Sequence, residues 1–188
     1  MSDIELGKSW TLADPQLAVA LLSTLRLRDG ELVDELADRD SVTRWLDEVL
    51  ADRRRGAVAR RDLVALRELL RNLLTEVVDG VALSPAVIAT VNEVAARAPV
   101  TLVARVMRDG EVEVQATSKS TASDSVLAQL ARSALSLLAA PDRDQLGLCR
   151  APGCILFFLK HHPKQQWCSP GCGNRARVAR HHSRHSRS

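Results

Sequence analysis

Residues 149–175 read CRAPGCILFFLKHHPKQQWCSPGCGNR. All four cysteines of the 188-residue chain fall here, as Cys149 with Cys154 and then Cys168 with Cys172. A tetrahedral zinc ion takes sulfur ligands at about 2.3 Å, and cysteines a few residues apart reach one ion from a single tight turn. Both turns hold proline and glycine, Pro152-Gly153 and Pro170-Gly171, which allow a tight bend and let backbone N–H groups point at sulfur. A four-cysteine shell has no open position, so the expected cofactor is one structural Zn2+ on Cys149, Cys154, Cys168 and Cys172. Other readings stay open on these residues alone. They are a disulfide pair or redox dithiol, four unrelated thiols, and a Cys3His shell using His161 or His162. Neither pair has the two-residue spacing of a thioredoxin-type motif. Between the pairs, the run from Ile155 to Leu159 reads as a short strand, and Trp167 is placed to cover the metal.

The tail after Cys172 has helical spacing. Arg177, Arg180, His181 and Arg184 fall at i, i+3, i+4 and i+7, one face of a helix. A zinc module fixing the start of such a helix would present it rigidly to phosphates, and phosphate contacts set affinity and register rather than sequence choice. Asn174 and Arg175, nearest the module, are the candidates for base reading, because Asn pairs with adenine and Arg with guanine. Arg187 extends the basic set.

Charge is divided along the chain. From Gln145 onward there are 8 Lys/Arg, no Asp/Glu and all 5 His; the preceding residues hold 18 basic and 23 acidic groups, a net of −5. A +8 tail on an acidic body points to an anionic partner, double-stranded DNA first, with RNA as a variant. The tail's lack of aromatics disfavours base stacking on single strands. A basic tail that serves only solubility is the plainer alternative. No apolar run approaches the roughly 20 residues of a membrane helix. Met1-Ser-Asp-Ile-Glu carries no basic start and no apolar signal region, so a cytoplasmic protein is expected.

The body reads as helical. Asp14-Pro15 opens a helix carrying Leu17, Ala20, Leu21, Thr24 and Leu25, which Asp29-Gly30 stops; residues 31–40 read as an acidic loop. Ser41 is expected to cap a helix with Trp45, Leu46, Val49 and Leu50 inward. Arg53-Arg54-Arg55 reads as a solvated helix end, and Ser9-Trp10-Thr11-Leu12 as a weak strand. The clearest helix runs from Ala57 to Asp79, striped by Leu63, Leu66, Leu70, Leu73 and Val77. Ser84-Pro85 opens the next. Residues 100–117 change to period two around Asp109-Gly110, a hairpin expected to pack on the helices because a lone hairpin is unstable. Ser123 or Asp124 is expected to cap a last helix, which Pro141-Asp142 ends. The fold class is therefore mainly α with one β-hairpin over residues 1–143, followed by a small zinc-ribbon-like finger and basic helix over 144–188. No Gly-rich phosphate loop, nucleophile elbow or His/Cys constellation lies outside the finger, so no enzyme is expected.

Trp167-Cys168-Ser169, then Cys172-Gly173-Asn174-Arg175 and the spaced arginines, resembles the bacterial CGNR zinc-finger family. The body is similar to the ABATE domain that precedes this finger, in its 17–24 helix, Trp45-Leu46, the leucine-rich 63–77 helix, and Pro85 with Asn92. The resemblance implies a transcription regulator of stress responses. Its finger would bind DNA and its body would sense or assemble. Apart from the resemblance, a small-molecule effector between the body's helices and hairpin, and a homodimer, stay open as partners. A zinc-stapled protein-interaction or oligomerisation module is the alternative. The chain departs from the pattern with three residues between Cys168 and Cys172 where four are usual. Gln165-Gln166 also stand where basic residues are usual, and an acidic residue common after the Phe is missing.

Overall fold

The computed structural model describes residues 14–28, 30–50, 58–139 and 142–185. The readings made on Trp10, Asp29, Arg53 to Arg55, Pro141 and Arg187 lie outside the described residues. Helix α1 (Pro15–Ser23) and helix α4 (Pro85–Ala96) both start with an acceptor side chain followed by proline. Asp14 accepts from the Gln16 amide at 2.9 Å, and Ser84 from the Val87 amide at 3.5 Å. Proline fits this position because the N–H it lacks has no helical acceptor there.

Two other caps differ from expectation. Helix α2 (Arg39–Val49) is capped by Asp38, whose carboxylate accepts from Ser41 N at 2.8 Å. Helix α5 (Ala122–Ser136) is capped by Thr121, which accepts from Asp124 N at 3.0 Å. Ser41 and Asp124, each expected to cap (Asp124 as the alternative to Ser123), lie three positions on and supply the free amide that the true cap satisfies.

Helix α3 (Arg60–Asp79) is the spine of the core. Leu63, Leu66, Leu70, Leu73, Leu74 and Val77 are all buried along it, each leucine contributing about 1.5–3 kcal/mol by leaving water. Gly80 ends α3 in the left-handed conformation at φ 66°, which glycine adopts without steric cost. Around α3 pack α1, α4 and α5, contributing Ala18, Leu21, Leu22, Val91, Leu127, Leu130 and Ala134. Buried Ser133 ties α5 to the start of α1: it accepts from Ala18 N at 2.8 Å and donates to Asp14 O at 2.6 Å.

Residues 25–34 form a hairpin rather than a helix end and a loop. Strands β1 (Leu25–Arg28) and β2 (Glu31–Asp34) pair antiparallel, Leu25 opposite Asp34. The reason lies in α3. Arg67 is only 2% exposed, and a buried guanidinium needs a matched anion. The hairpin delivers Asp34, whose two carboxylate oxygens accept from Arg67 Nη1 at 2.6 Å and Nη2 at 2.9 Å. Thr24 Oγ1 accepts a further bond from Nη1 at 2.9 Å.

The expected hairpin forms from β3 (Thr101–Val106) and β4 (Val112–Thr117), closed through Met107 and Glu111. It does not pack on the helices: every residue of β3 is exposed. The buried apolar sides of α4 and α5 are already spent on each other and on α1 and α3, so among the described residues the hairpin is left outside the core. A third pair, β5 (Leu146–Leu148) with β6 (Phe157–Leu159), follows the short helix α6 (Asp142–Gln145). Leu146 and Phe157 belong to the main core, and Arg71 of α3 lies 5.4 Å from the Phe157 ring. The chain ends in helix α7 (Pro170–His185). The fold is thus mainly helical with small two-stranded sheets.

Candidate functional site

The first cysteine pair sits in the turn between β5 and β6. Cys149 N donates to Leu156 O at 2.8 Å and Cys154 N to Ala151 O at 3.0 Å. Gly153, at φ 68°, supplies the left-handed residue that lets this turn close. The second pair straddles the start of α7. Cys168 precedes it, Ser169 accepts from Cys172 N at 3.3 Å, and Pro170 begins the helix, so Cys172 lies in the first turn. The helix therefore begins inside the metal site rather than after it.

All four Sγ atoms lie within 4.8 Å of one another, with Cys154–Cys168 at 3.7 Å and Cys168–Cys172 at 3.5 Å. A disulfide needs about 2.05 Å. The edge of a tetrahedron built on zinc–sulfur bonds of about 2.3 Å is about 3.8 Å. The spacing is that of a chelating set, and neither His161 nor His162 is in the group. The four cysteines form one closed, structural zinc site.

Burial pushes the Cys154 and Cys168 thiols up. Burial acts the same way on Cys172, but hydrogen bonding by Ser169 and the neighbouring thiols outweighs it and brings that group down to about 7. Zinc binds thiolates, so loading the site displaces protons.

A second, small cluster packs around the sulfurs from Ala151, Phe158, Trp167 and Ala176. Two glycines make room for its rings. A Cβ on Gly173 would stand 3.1 Å from Trp167 Cδ1, and one on Gly147 would stand 2.7 Å from the Phe158 ring. This is a physical reason for the glycine that follows Cys172.

The candidate nucleic-acid residues divide. Arg175 turns back to the metal site: Nη2 donates to Cys172 Sγ at 3.0 Å and Nε to Pro152 O at 3.2 Å. Asn174 is exposed and accepts from Arg177. Arg177, Arg180, His181 and Arg184 are exposed on α7, and Ala176 is the last buried residue of that helix among those whose burial is described. From Arg177 to Arg184 the helix is exposed on every side.

A set of residues that the spacing argument passed over lies beside this helix. The loop between the cysteine pairs and the first turns of α7 enclose a groove of about 630 Å³ lined by His161, His162, Lys164, Trp167 and Arg177. Gln165 braces the loop, accepting from His161 N and donating to Trp167 O, both at 2.9 Å. The signal in the sequence was the cluster of Lys160, His161, His162 and Lys164, which carries positive charge upstream of the two glutamines.

The architecture is a helical domain whose core continues into a zinc-stapled finger. The model of the ABATE family, described as "Putative stress-induced transcription regulator", matches residues 16–141, and that of the CGNR zinc finger matches 145–185. The chain belongs to the ABATE family and carries a CGNR zinc finger. No curated protein matches it.

Proposed function

We propose that this protein is a transcription regulator that binds duplex DNA through α7 and the groove beside it, and that it is not an enzyme. The observation that carries this reading is the state of α7. From Arg177 to Arg184 the helix has no buried face and no acidic residue, yet it sets Arg177, Arg180 and Arg184 one turn apart. Like charges at that spacing destabilise a helix by a few tenths of a kcal/mol per pair. A line of phosphates would reverse the sign of that interaction. Lys164, His161 and His162 across the groove would add contacts to the same backbone.

In this proposal Arg177, Arg180, His181, Arg184 and Arg187 contact phosphates, and Asn174 is the residue best placed to meet a base edge. Arg175 holds the two cysteine turns together instead of reaching outward. The cytoplasm is the expected location; among the described residues no helix is long and apolar enough to cross a membrane. An effector on the helical body remains part of the proposal, without a nominated pocket.

Salt-titrated binding to random-sequence duplex tests it. The logarithm of affinity should fall linearly with the logarithm of salt concentration, with a slope of about −0.9 per phosphate neutralised. Arg180→Ala with Arg184→Ala should make that slope shallower by about two units. If the zinc-loaded protein ignores duplex at low salt, the reading fails.

A further inference from the structure

We propose that the β3–β4 hairpin is a self-association surface, seating a second copy of this chain against its apolar face. The register separates two faces. One carries Leu102, Ala104 and Val106 beside Val112 and Val114; the other pairs Thr101 with Thr117, Val103 with Gln115 and Arg105 with Glu113. The charges are thus all on one side. Among the described residues the apolar side is left open: Val106 is 76% exposed, Val112 61% and Leu102 52%.

A two-stranded hairpin does not hold itself together in water. A contiguous exposed apolar patch on the order of 400 Å² is at the size that marks an interaction site. With its rim, a pair of such faces removes on the order of 1,000 Å² from water, the lower end of what sustains a specific dimer.

Charge selects a second copy as the occupant. The hairpin tip carries Asp109 and Glu111 against one Arg108, whereas its base is flanked by exposed Lys119 and Arg97. Under a two-fold axis with the hairpins antiparallel, the acidic tip of each copy meets the basic base of the other. Isologous contacts require this self-complementarity. A strongly charged partner of either sign would gain from one end and lose at the other. This inference needs no nucleic acid and stands apart from the DNA reading.

Sedimentation equilibrium on the zinc-loaded full chain, from about 1 to 200 µM, tests it. The expected result is a reversible dimer dissociating in the micromolar range. Val106→Glu with Val112→Lys should weaken it at least tenfold while leaving circular dichroism and melting temperature unchanged, because neither side chain is in the core. Glu111→Lys alone should weaken the dimer, and adding Lys119→Glu should restore it. A monomer throughout overturns the proposal, whether the face is bare, covered by the chain's own residues or kept for another protein. So does a dimer indifferent to these variants.

Discussion

The guanidinium of Arg175 donates a hydrogen bond to the sulfur of Cys172 at 3.0 Å while its Nε holds Pro152 O at 3.2 Å. One side chain from α7 thus joins the second cysteine pair to the turn of the first. A positive donor on a thiolate offsets part of the negative charge that four sulfurs bring to one divalent ion. Groups that hold metal ligands from behind typically contribute 10–100-fold to metal affinity. Arg175→Ala should therefore lose zinc to a chromophoric chelator about 10–100-fold more readily. Arg175→Lys should recover little, because a point ammonium cannot serve both acceptors. If zinc affinity is unchanged while DNA binding collapses, Arg175 reads bases after all.

Removing the metal should act on α7 before it acts on the body. The helix begins at Pro170, inside the site, and beyond Ala176 its described residues bury nothing. The core around Leu21, Leu70 and Leu130 contains no sulfur ligand. Chelation, or Cys168→Ser, should reduce far-UV helical signal and leave a cooperative melt of the remainder. Acid should do the same. Cys172 sits near 7 and burial raises Cys154 and Cys168 above an ordinary thiol. Protons therefore compete harder as pH falls, and zinc release followed by a colorimetric dye should rise steeply below neutrality. Retention at pH 4 would contradict this.

Asp34 and Arg67 should dominate acid stability in the body. The Arg67 hydrogen bonds hold the Asp34 carboxyl below its ordinary value. A group lowered on folding stabilises the protein above its unfolded value and loses that contribution as pH falls through the folded one. Stability should thus drop below about pH 4 in the wild type. Asp34→Ala removes the bidentate partner of a buried guanidinium, leaving it Thr24 and the exposed Glu68, 3.5 Å from Nε, and should cost about 3 kcal/mol at neutral pH in denaturant melts. The variant should also show a flatter acid limb.

Gly147 and Gly173 should resist even alanine, for different reasons of degree. At 2.7 Å from the Phe158 ring, an added methyl at Gly147 requires the ring to move, whereas at Gly173 the indole must yield only a few tenths of an ångström. Overpacking of this kind costs about 1–3 kcal/mol. Gly147→Ala should therefore destabilise more than Gly173→Ala in thermal melts, and Gly173→Ala should be visible as a change in Trp167 fluorescence.

Much of this protein was legible residue by residue. Four cysteines within 24 positions point to a chelating set, because zinc–sulfur geometry is local, and the sulfur spacing then excludes the disulfide and the His161 or His162 shell. The stripe of α3, the proline-initiated starts of α1 and α4, and the β3–β4 turn are equally local. So is the periodicity of α7, whose Ser169-Pro170 start lies inside a metal turn. What the chain alone does not display is long range. The Leu25–Asp34 hairpin exists because Arg67, 33 residues past Asp34, is buried and must be neutralised. The inward turn of Arg175 depends on Pro152 arriving beside it. The exposure of the β3–β4 hairpin follows from α4 and α5 covering each other first. Ligand chemistry and helix period were determined by sequence spacing. Where each charge and apolar face ended up was decided by which surfaces the tertiary packing had left open.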